Sequence, residues 1–242
     1  MRYSLAWKKH EAFFMILIRK RREPRALQQY KNMIGASYQN MHGAPTGRKC
    51  ENGEPEDLYE VVLEHLMNEQ GRICAYCMRR IPDPKRNPGA TIEHIDPQSK
   101  TDPQKALDYN NMLAVCNGNR NARSDDEKTC DAKRGNKQLD LNPLIASTLE
   151  SIRYRSSGRI YSDNEKIDAQ LNDVLNLNCE ALNLIRCRKQ ALNAMLIELD
   201  AKHKGDREYY ARLLARYENE SDLKPPYVGI LIWWLKKHTA EF

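Results

Sequence analysis

The chain has 242 residues, of which 40% are hydrophobic, 30% charged and 7% aromatic. That balance excludes a disordered chain, and no run reaches the ~20 consecutive apolar residues that a membrane-spanning helix needs. A formal net charge of +6 and a pI of about 8.9 suit a polyanionic partner without requiring one.

In chain order, the first apolar run is Ala12 to Ile18, between Lys8-Lys9 and Arg19-Lys20-Arg21-Arg22. It is short for an export signal and no small-residue cleavage site follows, so it reads as a core strand or helix of a cytoplasmic protein. Met15 lies inside the run, so residues 1–14 read as an extension or an upstream start. The basic cluster at Arg19 to Arg22 reads as a solvated face, with a nucleic-acid contact as the alternative. From Pro24 to about Asn40, Leu27, Tyr30, Lys31 and Ile34 fall at helical spacing. His42 to Pro55 reads as a loop. Pro55-Glu56-Asp57 then opens a helix with acidic residues in its first turn, where the dipole favours them. Its stripe is Leu58, Val61, Val62, Leu63, Leu66 and Met67, it carries His65 as a structural residue, and Gly71 ends it.

From Arg72 to Gly135 the character changes: Pro82, Pro84, Pro88 and Gly89 mark a turn, and Ala90–Ile95 and Met112–Cys116 are strand-like. After Pro143 the pattern is helical again, with Ile167, Leu171, Val174 and Leu175 on one face. The last segment runs from Pro225-Pro226 through Trp233-Trp234. That pair reads as core or, if exposed, as a docking patch.

Seven cysteines without an export signal argue for metal rather than a disulfide framework. Cys74-Ala75-Tyr76-Cys77 offers two thiolates at zinc-knuckle spacing. A redox C-x-x-C would be expected at a helix N-terminus in a βαβ context, which is missing here. Cys116 and Cys130 can close a four-sulfur site, with Cys50 as a substitute, whereas Cys179 and Cys187 read as buried small hydrophobes. Between the halves of the clamp lies Thr91-Ile92-Glu93-His94-Ile95-Asp96-Pro97. A carboxylate can bind a hard divalent cation, and an adjacent imidazole can take a proton from water near neutral pH.

Glu93-His94, then Asn111 leading into Cys116, then Cys130-Asp131, resembles the HNH nuclease pattern. The resemblance implies an α+β chain, mainly helical. A zinc-clamped ββα-metal core at 72–145 would be embedded in helical regions at 1–71 and 146–242. It implies that His94 activates water, that Asn111 ties the loop between the two strands, and that Glu93 and Asp131 hold a catalytic Mg²⁺ or Mn²⁺. Cys74, Cys77, Cys116 and Cys130 would hold structural zinc. Two departures stand out: Asn117 to Thr129 interrupts the second knuckle, and the last ligand is Asp131, with Asn119 as its rival. Arg120, Arg123, Lys128, Lys133 and Arg134 crowd the region as candidate nucleic-acid contacts.

Further matches lie at Lys20 to Pro24, Glu69 to Cys77, Leu175 to Asn178 and Gly229 to Lys237. With these, the chain is similar to the PtuB-like HNH subunit of Septu anti-phage systems, also found beside retrons. That likeness implies an effector endonuclease acting on DNA or RNA, with a PtuA-like ABC-type ATPase as partner. Retron versions add a reverse transcriptase and its RNA–DNA hybrid. The competing reading is a non-catalytic zinc module that recruits nucleic acid or protein.

Overall fold

The computed structural model describes residues 14–81, 89–100, 102–219 and 223–239. The expectations for residues 1–13 and for the prolines at 82, 84 and 88 lie outside these residues.

Helix α1 (Arg25–Lys31) buries Leu27 and Tyr30 and then ends, because Asn32 and Met33 close turns on Gln29 and Tyr30. The longer helix expected to about Asn40 is therefore not formed, and Ile34 lies fully exposed. The segment expected to be a loop holds a hairpin, β1 (Pro45–Lys49) against β2 (Pro55–Asp57), turned at Cys50 to Glu54. Helix α2 (Leu58–Glu69) follows directly, and the Asp57 carboxylate caps it by accepting from the Glu60 N–H at 3.1 Å. Its apolar stripe is buried at Leu58, Val62, Leu63, Leu66 and Met67, with Val61 half-buried, and Gly71 takes a φ of +67° just past its end. The last turn carries two buried polar residues that tie the molecule together. Gln70 pairs with both backbone groups of Ala114, acting as a third strand beside β4. Glu69 accepts from Lys20, from the Arg21 N–H and from the Tyr109 hydroxyl.

That contact corrects the reading of Arg19 to Arg22 as a solvated face at Lys20 alone: Arg19, Arg21 and Arg22 are exposed, whereas the Lys20 side chain is largely buried on Glu69, over the Tyr109 ring. The apolar run before it is also corrected. Phe14, Met15 and Ile18 are buried, but residues 14–18 form neither strand nor helix, and the Ile18 N–H bonds to Pro143 O at 2.8 Å.

Strands β3 (Ala90–His94) and β4 (Met112–Cys116) pair antiparallel in strict register, Ala90 opposite Cys116 and His94 opposite Met112. Both are almost wholly buried, which accounts for the continuous apolar character of β4, whereas β3 carries Thr91, Glu93 and His94. The short helix α3 (Cys130–Arg134) packs on β4.

The C-terminal region is not purely helical. A hairpin, β5 (Ile152–Tyr154) with β6 (Ile160–Ser162), precedes α4 (Glu165–Ala169), α5 (Leu184–Lys202), α6 (Arg207–Glu218) and α7 (Val228–Thr239). Helix α7 reaches the core closely at Gly229, where a Cβ would lie 2.2 Å from Phe14 O. Leu231 and Ile232 are buried, and the tryptophans are half-buried, Trp234 stacking on His238 at 3.8 Å. Among the described residues no helix is long and apolar enough to cross a membrane.

Candidate active site

Cys74, Cys77, Cys116 and Cys130 are all buried, with their ligand atoms within 4.8 Å of one another. Sulfur–sulfur separations of 3.7 Å (Cys74–Cys130), 3.7 Å (Cys77–Cys116) and 3.8 Å (Cys116–Cys130) recur around the cluster. Four sulfurs at ~2.3 Å from a central zinc stand ~3.8 Å apart, so the cluster fits a tetrahedral ion. Cys50 is not in this group.

The insertion does not spoil the clamp because the chain leaves and returns at one point. The Thr129 N–H bonds to Gly118 O at 2.9 Å, closing residues 119–128 into a side excursion. Gly118 has a φ of +63°, and a Cβ there would meet Thr129 O at 2.2 Å, so only glycine allows this closure. Thr129 donates its hydroxyl to Leu175 O, and the Cys130 N–H bonds to the same carbonyl at 2.8 Å, fixing the start of α3.

In front of the clamp lies an open cleft of about 770 Å³. Its walls bring together Glu93 and His94 from the end of β3, Asp131 from α3, Arg120 and Lys128 from the excursion, and Tyr38. Asn119 is not among the lining residues; its amide donates to Glu127 O at 3.0 Å. Between the two rival positions, the fold thus brings Asp131 beside Glu93.

The His94 ring is fixed at both nitrogens. Nε2 lies 2.9 Å from Ala106 O, and a carbonyl only accepts, so Nε2 carries the hydrogen. Nδ1 then holds the lone pair, 3.0 Å from the Gln98 amide nitrogen. Tyr38 packs edge-on against the ring at 4.5 Å. Asn111 acts one step behind. Its Oδ1 accepts from the Asp96 N–H at 2.8 Å, and its amide donates to Asp96 O and Lys105 O at 3.3 Å. It therefore fastens both ends of the loop whose Ala106 carbonyl holds His94.

Over 191 residues the chain is 30% identical to the Escherichia coli protein named "Retron Ec83 putative HNH endonuclease", an alignment covering 64% of this chain and 73% of that protein. The chain belongs to the HNH endonuclease family. No protein-family model matches it.

In this HNH chain the charges of the cleft are paired. Burial and the neighbouring Asp131 carboxylate push the Glu93 carboxyl up to about 8, although Arg134 and its hydrogen bond pull the other way. Two carboxylates crowded together at the wall of an open cleft suit a divalent cation, which would relieve their repulsion. Mg²⁺ typically takes one or two carboxylates and keeps its remaining positions for water and phosphate. Burial lowers the His94 imidazole below its ordinary value, so it stays neutral at physiological pH.

The five basic candidates separate. Arg120 and Lys128 line the cleft, Arg120 paired with Asp131 and Lys128 with Asp125 at 2.9 Å. Arg123 is exposed but does not line it, and Lys133 turns to Asp126 at 3.3 Å. Arg134 is corrected outright: it is 1% exposed, and its guanidinium donates to Glu93, His94 O, Ile95 O and Lys137 O. It holds the loop after β3 from inside and cannot reach a phosphate. Sequence reasoning missed Tyr38, Tyr59 and Gln98. The two tyrosines come from outside the motif and carried no local signal, while Gln98 stands four residues after His94.

Proposed function

We propose that this HNH chain is a metal-dependent endonuclease that hydrolyses nucleic-acid phosphodiester bonds, DNA being favoured and tRNA or other RNA open. The observation that carries the reading is one cleft holding a neutral imidazole of fixed tautomer beside two crowded carboxylates. His94 Nδ1 takes a proton from water, while the Ala106 carbonyl, in a loop tied by Asn111, holds the ring. Glu93 and Asp131 would hold Mg²⁺ or Mn²⁺, which when bound supplies compensation for charge on the phosphate and on the leaving 3′ oxygen. Arg120 and Lys128 bind the backbone. The lining gives little for base-edge readout, so sequence specificity is low or comes from a partner.

The biological reading is an effector of anti-phage defence in the cytoplasm. It is supported by the Septu-like motifs and by the retron in the name of the Escherichia coli relative. On this reading an ABC-type ATPase restrains the nuclease, with a retron reverse transcriptase and its RNA–DNA hybrid as further partners. The competing zinc-module reading gives no role to a base of fixed tautomer beside paired carboxylates.

The test gives zinc-loaded protein supercoiled plasmid and total tRNA in parallel, with Mg²⁺ or Mn²⁺, against His94→Ala. Cation-dependent cutting by wild type alone is expected. Equal cutting by His94→Ala would remove the base from His94. No cutting of either polymer, even with the ATPase added, would favour the binding module.

A further inference from the structure

The His94 base has one usable lone pair, and in this structure something already sits on it. Nε2 is committed to Ala106 O, so only Nδ1 can accept a proton, and the Gln98 amide nitrogen lies 3.0 Å from it. The direction of the contact is set from both ends. A ring nitrogen without a hydrogen must accept, so Gln98 donates through its NH₂. The Gln98 carbonyl oxygen then faces the Gln39 amide, 3.5 Å away, which donates to it. A directional chain results, from Gln39 to Gln98 to His94 to the Ala106 carbonyl.

Hydrolysis needs that same lone pair. A water O–H passes its proton to Nδ1 as the water oxygen bonds to phosphorus and the P–O3′ bond breaks, its electron pair leaving on the 3′ oxygen. One lone pair cannot accept from Gln98 and from water together. Gln98 is surface-exposed, follows Pro97 and begins a single short turn (Gln98–Lys100), so it can swing away without unpacking the core. Gln39, which steadies it, comes from the segment after α1, outside the stretch that carries the nuclease motif.

We propose that Gln98 is a gate: its amide covers the lone pair of His94 and must leave Nδ1 before water can be activated there. The inference rests on the reading of His94 as the base. Substrate docking, or a partner acting on the segment around Gln39, opens the gate.

The test reads the contact apart from cleavage. Diethyl pyrocarbonate acylates an unprotonated, accessible ring nitrogen, and at about pH 8 an imidazole is neutral. The rate at His94 is followed by peptide mass mapping in wild type, Gln98→Ala and Gln98→Met, with zinc content and thermal unfolding as controls for the fold. Methionine keeps the bulk of glutamine but cannot donate. Both variants are expected to react several-fold faster at His94. Both should also raise kcat/KM about threefold to tenfold, the size of one net hydrogen bond. Modification at the wild-type rate would overturn the contact. Acceleration in the alanine variant alone would mean simple shielding and would overturn the lone-pair argument. Faster modification with a lower kcat/KM would overturn the gate. If His94→Ala cleaves like wild type, the base reading fails, while the modification rates still report whether Gln98 covers Nδ1.

Discussion

Replacing Arg134 with methionine separates a buried strut from a phosphate contact. The Arg134 side chain is 1% exposed and Glu93 is 8% exposed, so solvent screens this pair little. Methionine fills similar volume but leaves the His94 and Ile95 carbonyls, reached at 2.7 and 2.6 Å, without donors. Glu93, already pushed up to about 8, then takes a proton and leaves no stranded charge. A buried acceptor left unsatisfied costs ~1–3 kcal/mol, so the two carbonyls together cost about 2–6 kcal/mol. In a chain of this size each kcal/mol moves Tm by roughly 2–4 °C, so a loss of about 4–24 °C is expected. Thermal unfolding of zinc-loaded protein measures this, and pairing Arg134→Met with Glu93→Gln should recover little of the loss because no charge is stranded. Suppose instead that Arg134→Met unfolds within ~0.5 kcal/mol of wild type. If it also loses nucleic-acid affinity with a salt slope reduced by about one, Arg134 faces the ligand and the account of the loop after β3 is wrong.

Three further expectations follow from the same geometry. Cys116→Ser, or a strong chelator, should unfold the core around β3 and β4: a structural zinc contributes ~10–16 kcal/mol against a total stability of ~5–15. A chelated protein that keeps its circular-dichroism melt would refute the clamp. Because Glu93 is pushed up to about 8 while His94 lies below its usual value, protons compete with the cation at Glu93 before they reach the base. Cleavage should therefore rise with pH up to about 8, and more Mg²⁺ should move that limb to lower pH. A limb fixed at all Mg²⁺ concentrations would assign it to His94. Arg120→Ala should weaken nucleic-acid binding yet tighten Mg²⁺ binding by calorimetry, since its guanidinium now sits on Asp131. Unchanged Mg²⁺ affinity would mean that this pair does not compete with the cation.

What was legible in the sequence was local, or local at both ends. The stripe from Leu58 to Met67 predicts α2 because helical burial repeats every three to four residues, and the Asp57 cap and Gly71 stop are single-residue signals. The four clustered cysteines could be named because Cys74 and Cys77 stand at knuckle spacing and Cys116 and Cys130 follow within the same segment. What was not legible depends on which face a side chain presents once distant segments meet. Lys133 and Arg134 are neighbours of one chemical type, yet one pairs with Asp126 at the surface and the other is buried on Glu93. The β1–β2 hairpin escapes a pattern search because Pro45–Lys49 is mostly exposed on both faces and so carries no alternation.

The excursion between Cys116 and Cys130 shows how a departure from a motif in sequence can be none in space. Counted along the chain, Asn117 to Thr129 breaks the second knuckle. In three dimensions the N–H of Thr129 returns to Gly118 O, so the two cysteines come to 3.8 Å as a short knuckle would bring them. The excursion then has its own use, because it carries Arg120 and Lys128 to the cleft that holds His94. A loop closed at its base costs the fold little beyond the entropy of closure, which grows only slowly with length. The clamp therefore depends on Gly118, where any side chain would strike the Thr129 carbonyl, and not on the number of residues between the cysteines.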